Sequence, residues 1–431
     1  MEPYRVLVVD DSAFMRKIIS DLIEKDPQFT VVATAVNGIE AITSVEQTKP
    51  DVITLDLEMP LMNGIDALQH ILKKHKIPII MLSGISEANT RDTIKALQFG
   101  AFDFIRKPTG VGAKAQDIHV VSEMLLEKLK IAMLTRKRTS ITRPIAPATR
   151  FENKKQDIST ENAPNLLKND KIKSKTITSK KSAASNKANE SKLDHLSAAL
   201  PKKQAKEEAE QKSTVVDSSI KPKPKQKAVE LKPKANTGSI SSIIAIGTST
   251  GGPRALHEVI SHLPANLAAP VVIVQHMPPR FTKSLAQRLD SFSELDVCEA
   301  EDGMKLQNGR AYVAPGGYHM KVSRQQDQYV ISLSSEPPRS GHRPSVDMLY
   351  ESLLDFQELE RYIVLMTGMG SDGAQGMKKL ADQGVAATIA EAEESCVVYG
   401  MPRSAIELGA ASKVLPLSHI APELMKIMSR V

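Results

Sequence analysis

The chain has 431 residues, which at roughly 100–200 residues per domain suggests two or three domains. Hydrophobic residues at 41% and charged residues at 25% exclude wholesale disorder. The only cysteines, Cys298 and Cys396, exclude a disulfide framework and a C-x-x-C zinc site. The net charge of +7 invites an anionic partner such as nucleic acid. Against that, 9 Phe, 7 Tyr and no Trp leave few platforms for stacking bases. The start, Met1 to Asp10, is too short in apolar length for a signal peptide, and no run of about 18 apolar residues spans a membrane. A cytoplasmic protein is expected.

Residues 1–135 alternate short apolar runs with amphipathic stretches. Arg5–Asp10, Thr30–Ala35, Val52–Asp56, Pro78–Ser83 and Asp103–Arg106 read as strands, with helical patterns between them. One such helix covers Ser12–Lys25, with Phe14, Ile18 and Leu22 on its apolar stripe. Five β-α repeats predict a doubly wound parallel sheet. Asp10 and Asp11 follow the first strand and Asp56 ends the third. In such a sheet these ends lie together at the carboxyl edge, where ligands bind. Gathered carboxylates repel unless a cation joins them, and hard oxygen ligands favour Mg²⁺. Ser83 ends the fourth strand and Lys107 follows the fifth. Pro108 comes next, and its peptide bond is open to the cis form. Acids at strand ends also cap helices. All five groups at successive strand ends suit capture of a phosphoryl group on Asp56, with Lys107 neutralising its oxygens and Ser83 reporting them.

The text Val8-Val9-Asp10-Asp11-Ser12, Leu55-Asp56-Leu57-Glu58-Met59-Pro60, Met81-Leu82-Ser83-Gly84 and Phe102-Asp103-Phe104-Ile105-Arg106-Lys107-Pro108 resembles the receiver domain of bacterial response regulators over about residues 4–130. The resemblance implies a flavodoxin-like fold and phosphorylation of Asp56 by a histidine kinase. It also implies Mg²⁺ held by Asp11, Asp56 and the backbone carbonyl of Glu58, and Phe104 as a switch aromatic. By packing alone, Phe104 is equally a core residue.

Residues 136–238 carry 25 Lys and Arg against 11 Asp and Glu, a net +14, so the rest of the chain nets −7. Their single aromatic is Phe151, and residues 221–225 read Lys-Pro-Lys-Pro-Lys. Such a stretch buries too little apolar area to offset chain entropy, so a disordered Lys/Pro/Ser-rich linker is expected. As a flexible coil it would span roughly 55 Å. Its lysines are a solvated tether, or hold the protein peripherally at anionic lipid.

Residues 239–431 return to strand-helix alternation. Ile243–Gly247, Val271–Gln275, Ile363–Thr367 and Ala386–Ala390 read as buried strands. Arg310–Ala314, Lys321–Val322 and Tyr329–Leu333 read as a small antiparallel ribbon around Pro315-Gly316-Gly317. Gly247-Thr248-Ser249-Thr250-Gly251 fits G-x-S-x-G, where a sharp strand-to-helix turn exposes a serine. The helix start after it, at Gly252-Pro253, offers N–H groups to an oxyanion. The same turn equally binds phosphate or merely turns. A serine nucleophile needs a base. Among His257, His262, His276, His319, His342 and His419, only His276 directly follows a buried strand. His257 is expected at the surface, and His319 is the reserve. Asp372, after another buried strand, supplies the carboxylate that orients an imidazole.

The blocks Gly247-Thr248-Ser249-Thr250-Gly251-Gly252-Pro253, Gln275-His276-Met277-Pro278-Pro279, Tyr312-Val313-Ala314-Pro315-Gly316-Gly317, Arg343-Pro344-Ser345-Val346-Asp347 and Leu365-Met366-Thr367-Gly368-Met369-Gly370-Ser371-Asp372-Gly373 resemble the catalytic domain of the chemotaxis protein-glutamate methylesterases, the CheB family, over residues 240–428. The resemblance implies a Ser249, His276 and Asp372 triad, with Thr250 and Met369 beside it and no cofactor at that site. Thr248, where relatives often carry a smaller residue, is a departure. The implied reaction is hydrolysis of glutamate γ-methyl esters, and deamidation of glutamines, on methyl-accepting chemotaxis receptors. The fold class expected is two doubly wound parallel-sheet α/β domains, a receiver at 1–135 and a methylesterase catalytic domain at 239–431, joined by the linker at 136–238. A phosphorylation-dependent binding protein without catalysis, and a basic DNA-binding regulator, are the competing readings. The absence of a helix-turn-helix pattern after residue 239 and the acidic folded parts disfavour the second.

Overall fold

The apolar run near the start of the chain becomes the second strand from one edge of a five-stranded sheet. A computed structural model describes residues 2–107, 115–141 and 239–429. The first described part contains β1 (Tyr4–Val9), α1 (Ala13–Ile23), β2 (Phe29–Ala35), α2 (Gly38–Thr48), β3 (Val52–Asp56), α3 (Gly64–Lys74), β4 (Ile79–Ser83), α4 (Glu87–Gln98), β5 (Asp103–Arg106) and α5 (Ala115–Ile141). All the strands pair in parallel, in the order β2-β1-β3-β4-β5. Period-2 alternation sorts their side chains onto two faces. Leu7, Val9, Ile53, Leu55, Ile79 and Met81 point toward α2, α3 and α4. Val6, Val8, Val52, Ile80 and Leu82 point toward α1 and α5. The order of strands reverses between β1 and β3, which opens the ligand crevice beside Asp10 and Asp56.

Helix starts follow their caps. The Ser12 hydroxyl accepts from Met15 N–H at 3.3 Å. Asn37 and Glu40 form a reciprocal box, Asn37 accepting from Glu40 N–H and Glu40 from Val36 N–H. Phe14 does not lie on the buried face of α1, being 72% exposed. Ile19, Leu22 and Ile23 carry the contact. At 100° per residue Phe14 falls well outside the arc those three define, although it sits one turn from Ile18.

The second part contains β6 (Ser242–Thr248), α6 (Gly252–Ile260), β7 (Val271–Gln275), α7 (Phe281–Asp290), β8 (Asp296–Glu299), β9 (Arg310–Val313), β10 (His319–Gln325), β11 (Gln328–Ser334), α8 (Val346–Glu351), β12 (Glu360–Leu365), α9 (Ala374–Asp382), β13 (Ala387–Glu391), α10 (Met401–Glu407), β14 (Lys413–Leu415) and α11 (Leu417–Met428). Seven strands pair in parallel, in the order β14-β13-β12-β6-β7-β9-β8. Here the reversal falls at β6, between β12 and β7. One face packs on α6, α7 and α11 and the other on α8, α9, α10 and the ribbon.

The ribbon is smaller than its sequence suggests. It consists of β10 and β11 alone, paired antiparallel. Arg310–Val313 instead joins the main sheet, parallel to both β7 and β8, because Ala311 and Val313 face one apolar layer and Tyr312 the other. The short, partly polar β8 and β14 carry too little apolar pattern to stand out in sequence.

Both sheets belong to one compact unit, and one apolar cluster runs from the α2–α4 face of the first sheet to α6 and α7 of the second. Helix α5 continues to Ile141, so the tether expected from residue 136 begins inside it. The rest of that tether, 142–238, and Pro108 lie outside the described residues. No helix among the described residues is long and apolar enough to cross a membrane.

Candidate functional site

At the edge of the first sheet, ligand oxygens of Asp10, Asp11 and Asp56 lie within 4.8 Å of one another. Lys107 Nζ bridges Asp10 and Asp56 at 2.7 Å each. Burial pushes the Asp56 carboxyl up and Asp10 adds to this; Lys107 opposes both, and the result is about 6. Burial alone would lower the Lys107 ammonium, but the two carboxylates outweigh it and hold it above its ordinary range. One ammonium does not balance three acids. An all-oxygen donor set with that deficit of positive charge suits a hard divalent cation such as Mg²⁺. Glu58 lines the adjoining cavity with Asp11. Ser83 is fully buried, and its hydroxyl is 2.6 Å from Thr93 Oγ1 on α4 and donates to the Gly84 carbonyl.

In the second sheet, Ser249 and His276 directly follow β6 and β7, and Asp372 lies in the loop between β12 and α9. The turn after β6 is tight for two reasons. Gly251 adopts φ +83°, a left-handed conformation, at the N-cap of α6. A Cβ on Gly252 would lie 1.9 Å from Gln275 Oε1, so any side chain there displaces the amide. Ser249 N–H donates to the Thr367 carbonyl at 3.0 Å, tying the turn to the end of β12. Thr367 N–H in turn donates to the fully buried Glu391 carboxylate at 2.8 Å.

Asp372 is the most heavily coordinated carboxylate of the site. It accepts from His276 Nε2 and Val346 N–H through Oδ2, at 2.8 and 2.7 Å. Through Oδ1 it accepts from the Ser345 hydroxyl at 2.8 Å and Asp347 N–H at 3.1 Å. Burial would raise this carboxyl, but His276, Val346 and Ser345 together outweigh that and hold it down at about 2. The other imidazole nitrogen, His276 Nδ1, is buried without a partner. This ring therefore presents Nε2 to the carboxylate and keeps Nδ1 free, the reverse of the chymotrypsin arrangement. A carboxylate-oriented imidazole with one free nitrogen can accept a proton from a nearby hydroxyl.

Ser249 and His276 line one cavity of about 430 Å³, with Met369, Thr250 and His342. The first sheet closes part of it, with Asp103, Phe104 and Lys128 on the wall. Thr250 Oγ1 donates to Asp103 Oδ2 at 2.6 Å, and Lys128 pairs with the same oxygen at 2.5 Å. Helix α4 continues the junction. Thr90 Oγ1 meets Ser284 Oγ at 2.7 Å, and Gln98 accepts from Arg288 at 2.8 Å. Phe104 rests against Phe281, ring centres 4.6 Å apart.

The remaining histidines are elsewhere. His319 is fully buried; its Nδ1 accepts from Ser345 N–H, so Nε2 carries the proton it donates to the Pro337 carbonyl. His257 is partly buried edge-on against Phe292 rather than free at the surface. His262 and His419 are exposed. Thr248 has a defined task, donating to Gln275 Oε1 at 2.7 Å. The Gln275 amide then donates to the Ser249 and His276 carbonyls, joining the two strand ends. Gln275, Ser345 and Asp103 escaped sequence reasoning. Gln275 and Ser345 left signals, a polar residue ending an apolar strand and a serine opening a helix. Asp103 left none, because its partner lies 147 residues away.

Comparison with known proteins gives a consistent set of likenesses. Residues 244–424 match the family model described as CheB methylesterase, and residues 6–118 that of the response regulator receiver domain. The chain is similar to the protein-glutamate methylesterase/protein-glutamine glutaminase of Geobacillus kaustophilus, 39% identical over 99% of both chains. It is equally similar, at 39% identity and the same coverage, to the protein of that name from Bacillus subtilis. Among solved structures, the Thermotoga maritima CheB methylesterase catalytic domain is 45% identical with a TM-score of 0.42, covering 43% of this chain and 98% of that one.

Proposed function

Because the chain belongs to the protein-glutamate methylesterase/protein-glutamine glutaminase family, we propose that it removes methyl groups from glutamate γ-esters of methyl-accepting chemotaxis receptors, and deamidates receptor glutamines, under control of Asp56 phosphorylation. The observation that carries the chemistry is His276, anchored to Asp372 with Nδ1 free, on the wall it shares with Ser249. Ser249 Oγ attacks the ester carbonyl carbon and its proton passes to His276 Nδ1. Ser249 and Gly252 N–H groups are committed to carbonyls, which leaves those of Thr250 and Gly251 for the oxyanion. The tetrahedral intermediate collapses as His276 returns the proton to the departing methoxide, releasing methanol. Water, deprotonated by the same imidazole, then cleaves the glutamyl-Ser249 ester. An amide enters the same cycle and leaves as ammonia.

Asp10, Asp11 and Asp56, with the Glu58 carbonyl, would hold Mg²⁺, which when bound offsets the charge of incoming phosphoryl oxygens. Asp56 would receive the phosphoryl group from a histidine kinase, with Lys107 pairing its oxygens. The regulatory route runs through Ser83. Drawing its hydroxyl toward a phosphoryl group would release Thr93, and with it the α4 face that meets Ser284 and Arg288. The docked receiver occludes Ser249, and phosphorylation would loosen that docking.

The test is methanol release from methylated receptor membranes, with and without a small-molecule phosphodonor. Release should rise with phosphodonor in the wild type and stay at the basal rate in Asp56→Asn. Equal release under all conditions would reject the regulation, and no release at all the activity. Asp56→Asn carries a second expectation. A carboxyl raised from 3.8 to about 6 makes the folded state bind more protons between those values, so it costs stability as pH rises through that window. The penalty at neutral pH is about 2–3 kcal/mol. In Mg²⁺-free buffer at pH 7.5, Asp56→Asn should therefore raise the thermal midpoint of receiver unfolding by several degrees, an advantage that shrinks at pH 4. A midpoint below wild type would contradict it.

A further inference from the structure

A half-buried imidazole lines the Ser249 cavity and has no part in the triad. His342 lies in the segment Arg339–His342, whose Ser340 and Gly341 both have left-handed backbone, at φ +53° and +79°. For a serine that conformation is strained, and such strain persists where surroundings over-determine it. It delivers the His342 ring face to face onto His276, centroids 3.8 Å apart and planes within 9°. Resting on the catalytic reading above, we propose that His342 is a positioning residue for the base: its neutral ring fixes the plane of the His276 imidazole and supplies an aromatic face to the imidazolium formed during acyl transfer.

One geometric fact and one electrostatic argument support this. The His276 ring has only one polar tether, Nε2 to Asp372, since Nδ1 is unpartnered. A single hydrogen bond leaves the ring free to rotate about it, and the stack removes that freedom. A positive charge over an aromatic face is also attracted to it, more strongly in a desolvated site. That attraction requires a neutral His342. Burial, the adjacent His276 and Lys128 of α5 lower its pKa to about 4, with Asp372 opposing. Arg106, Glu127 and Arg343 line the same cavity. At neutral pH the ring is uncharged and acts as a face, not as a second cation.

The experiment uses the full chain, activated with phosphodonor, and measures methanol release from methylated receptor membranes for wild type, His342→Ala and His342→Phe. Phosphorylation of Asp56 and the thermal midpoint report folding. In His342→Ala, kcat should fall roughly tenfold, equivalent to about 1.4 kcal/mol in the barrier, with KM unchanged. His342→Phe keeps the face and removes the nitrogens, and should restore kcat to within about threefold of wild type at pH 7.5. It should also hold its rate at acidic pH at least as well as wild type does, because nothing in that position titrates. Wild-type kcat in His342→Ala would overturn the proposal. So would a His342→Phe as impaired as His342→Ala, since the ring nitrogens rather than the face would then matter. Wild type that releases no methanol would instead refute the underlying catalytic reading.

Discussion

Ser249→Ala should lose methanol release by about 10⁶-fold in kcat, to the limit of detection, while phosphorylation of Asp56 proceeds as in wild type. Alanine removes the oxygen that bonds the acyl carbon and leaves the His276 imidazole with no nucleophile to deprotonate. Asp372→Asn should lose about 10⁴-fold. Its carboxylate accepts four hydrogen bonds, and an amide facing the same N–H and O–H donors turns at least one acceptance into a clash of donors. Both the imidazole and the start of α8 lose their anchor. The held-down pKa adds a pH expectation. A carboxyl lowered from 3.8 to about 2 contributes stability that is complete above pH 4 and lost as pH falls toward 2. Acid unfolding of the catalytic domain should therefore shift to higher pH in Asp372→Asn. Residual release above one per cent of wild type in Ser249→Ala would exclude the serine as nucleophile.

Thr90→Arg should switch the enzyme on without phosphate. Thr90 and Ser284 are 1% and 4% exposed and meet at 2.7 Å where α4 crosses α7. Thr90 also donates to the Glu87 backbone carbonyl, but the Glu87 carboxylate is already paired with Arg91, so a guanidinium placed there must either stay buried unpaired or force the junction apart. An uncompensated buried charge costs about 3–5 kcal/mol, enough to move a docking equilibrium by about two to four orders of magnitude. Basal methanol release should then rise at least tenfold, close to the phosphorylated wild type, with little further gain from phosphodonor. The catalytic domain is untouched, so kcat of the open form should equal that of wild type. A variant that remains at the basal wild-type rate would show that this junction does not restrain the active site.

Much of this arrangement is legible in the sequence, and the reason is local. Asp10, Asp56, Ser249 and His276 each stand just beyond or at the end of an apolar run, Asp372 lies in the Gly-rich loop that follows one, and a parallel sheet brings such ends to one edge. Runs of four or more apolar residues that stop at turn residues, as at Ile243–Ile246 or Val271–Val274, read as buried strands. In sequence Arg310–Ala314 looks like part of the ribbon, because its neighbour in the sheet, Asp296–Glu299, is half polar and leaves no pattern, while the two glycines nearby suggest a hairpin. Phe14 is exposed although its spacing from Ile18 suggests otherwise, because hydrophobicity alone does not say which side of a stripe a residue falls on. The junction was invisible. Thr250 with Asp103, and Phe104 with Phe281, are pairs of residues far apart in the chain, each of which would be unremarkable alone. His342 leaves no signal in the sequence for a similar reason: it sits in a loop without periodicity, and only the fold stacks it on His276.

The apolar cluster that runs unbroken from α2–α4 to α6 and α7 has a thermodynamic corollary. If phosphorylation weakens that shared packing, occupancy of the catalytic cavity must weaken it too, because substrate and receiver compete for the same wall. Reciprocity then holds between the two: a receptor segment seated against Ser249 increases the tendency of Asp56 to hold a phosphoryl group by the same factor that phosphorylation increases affinity for the segment. On that premise the protein would act as a coincidence detector, most persistently active where kinase output and methylated receptor are found together.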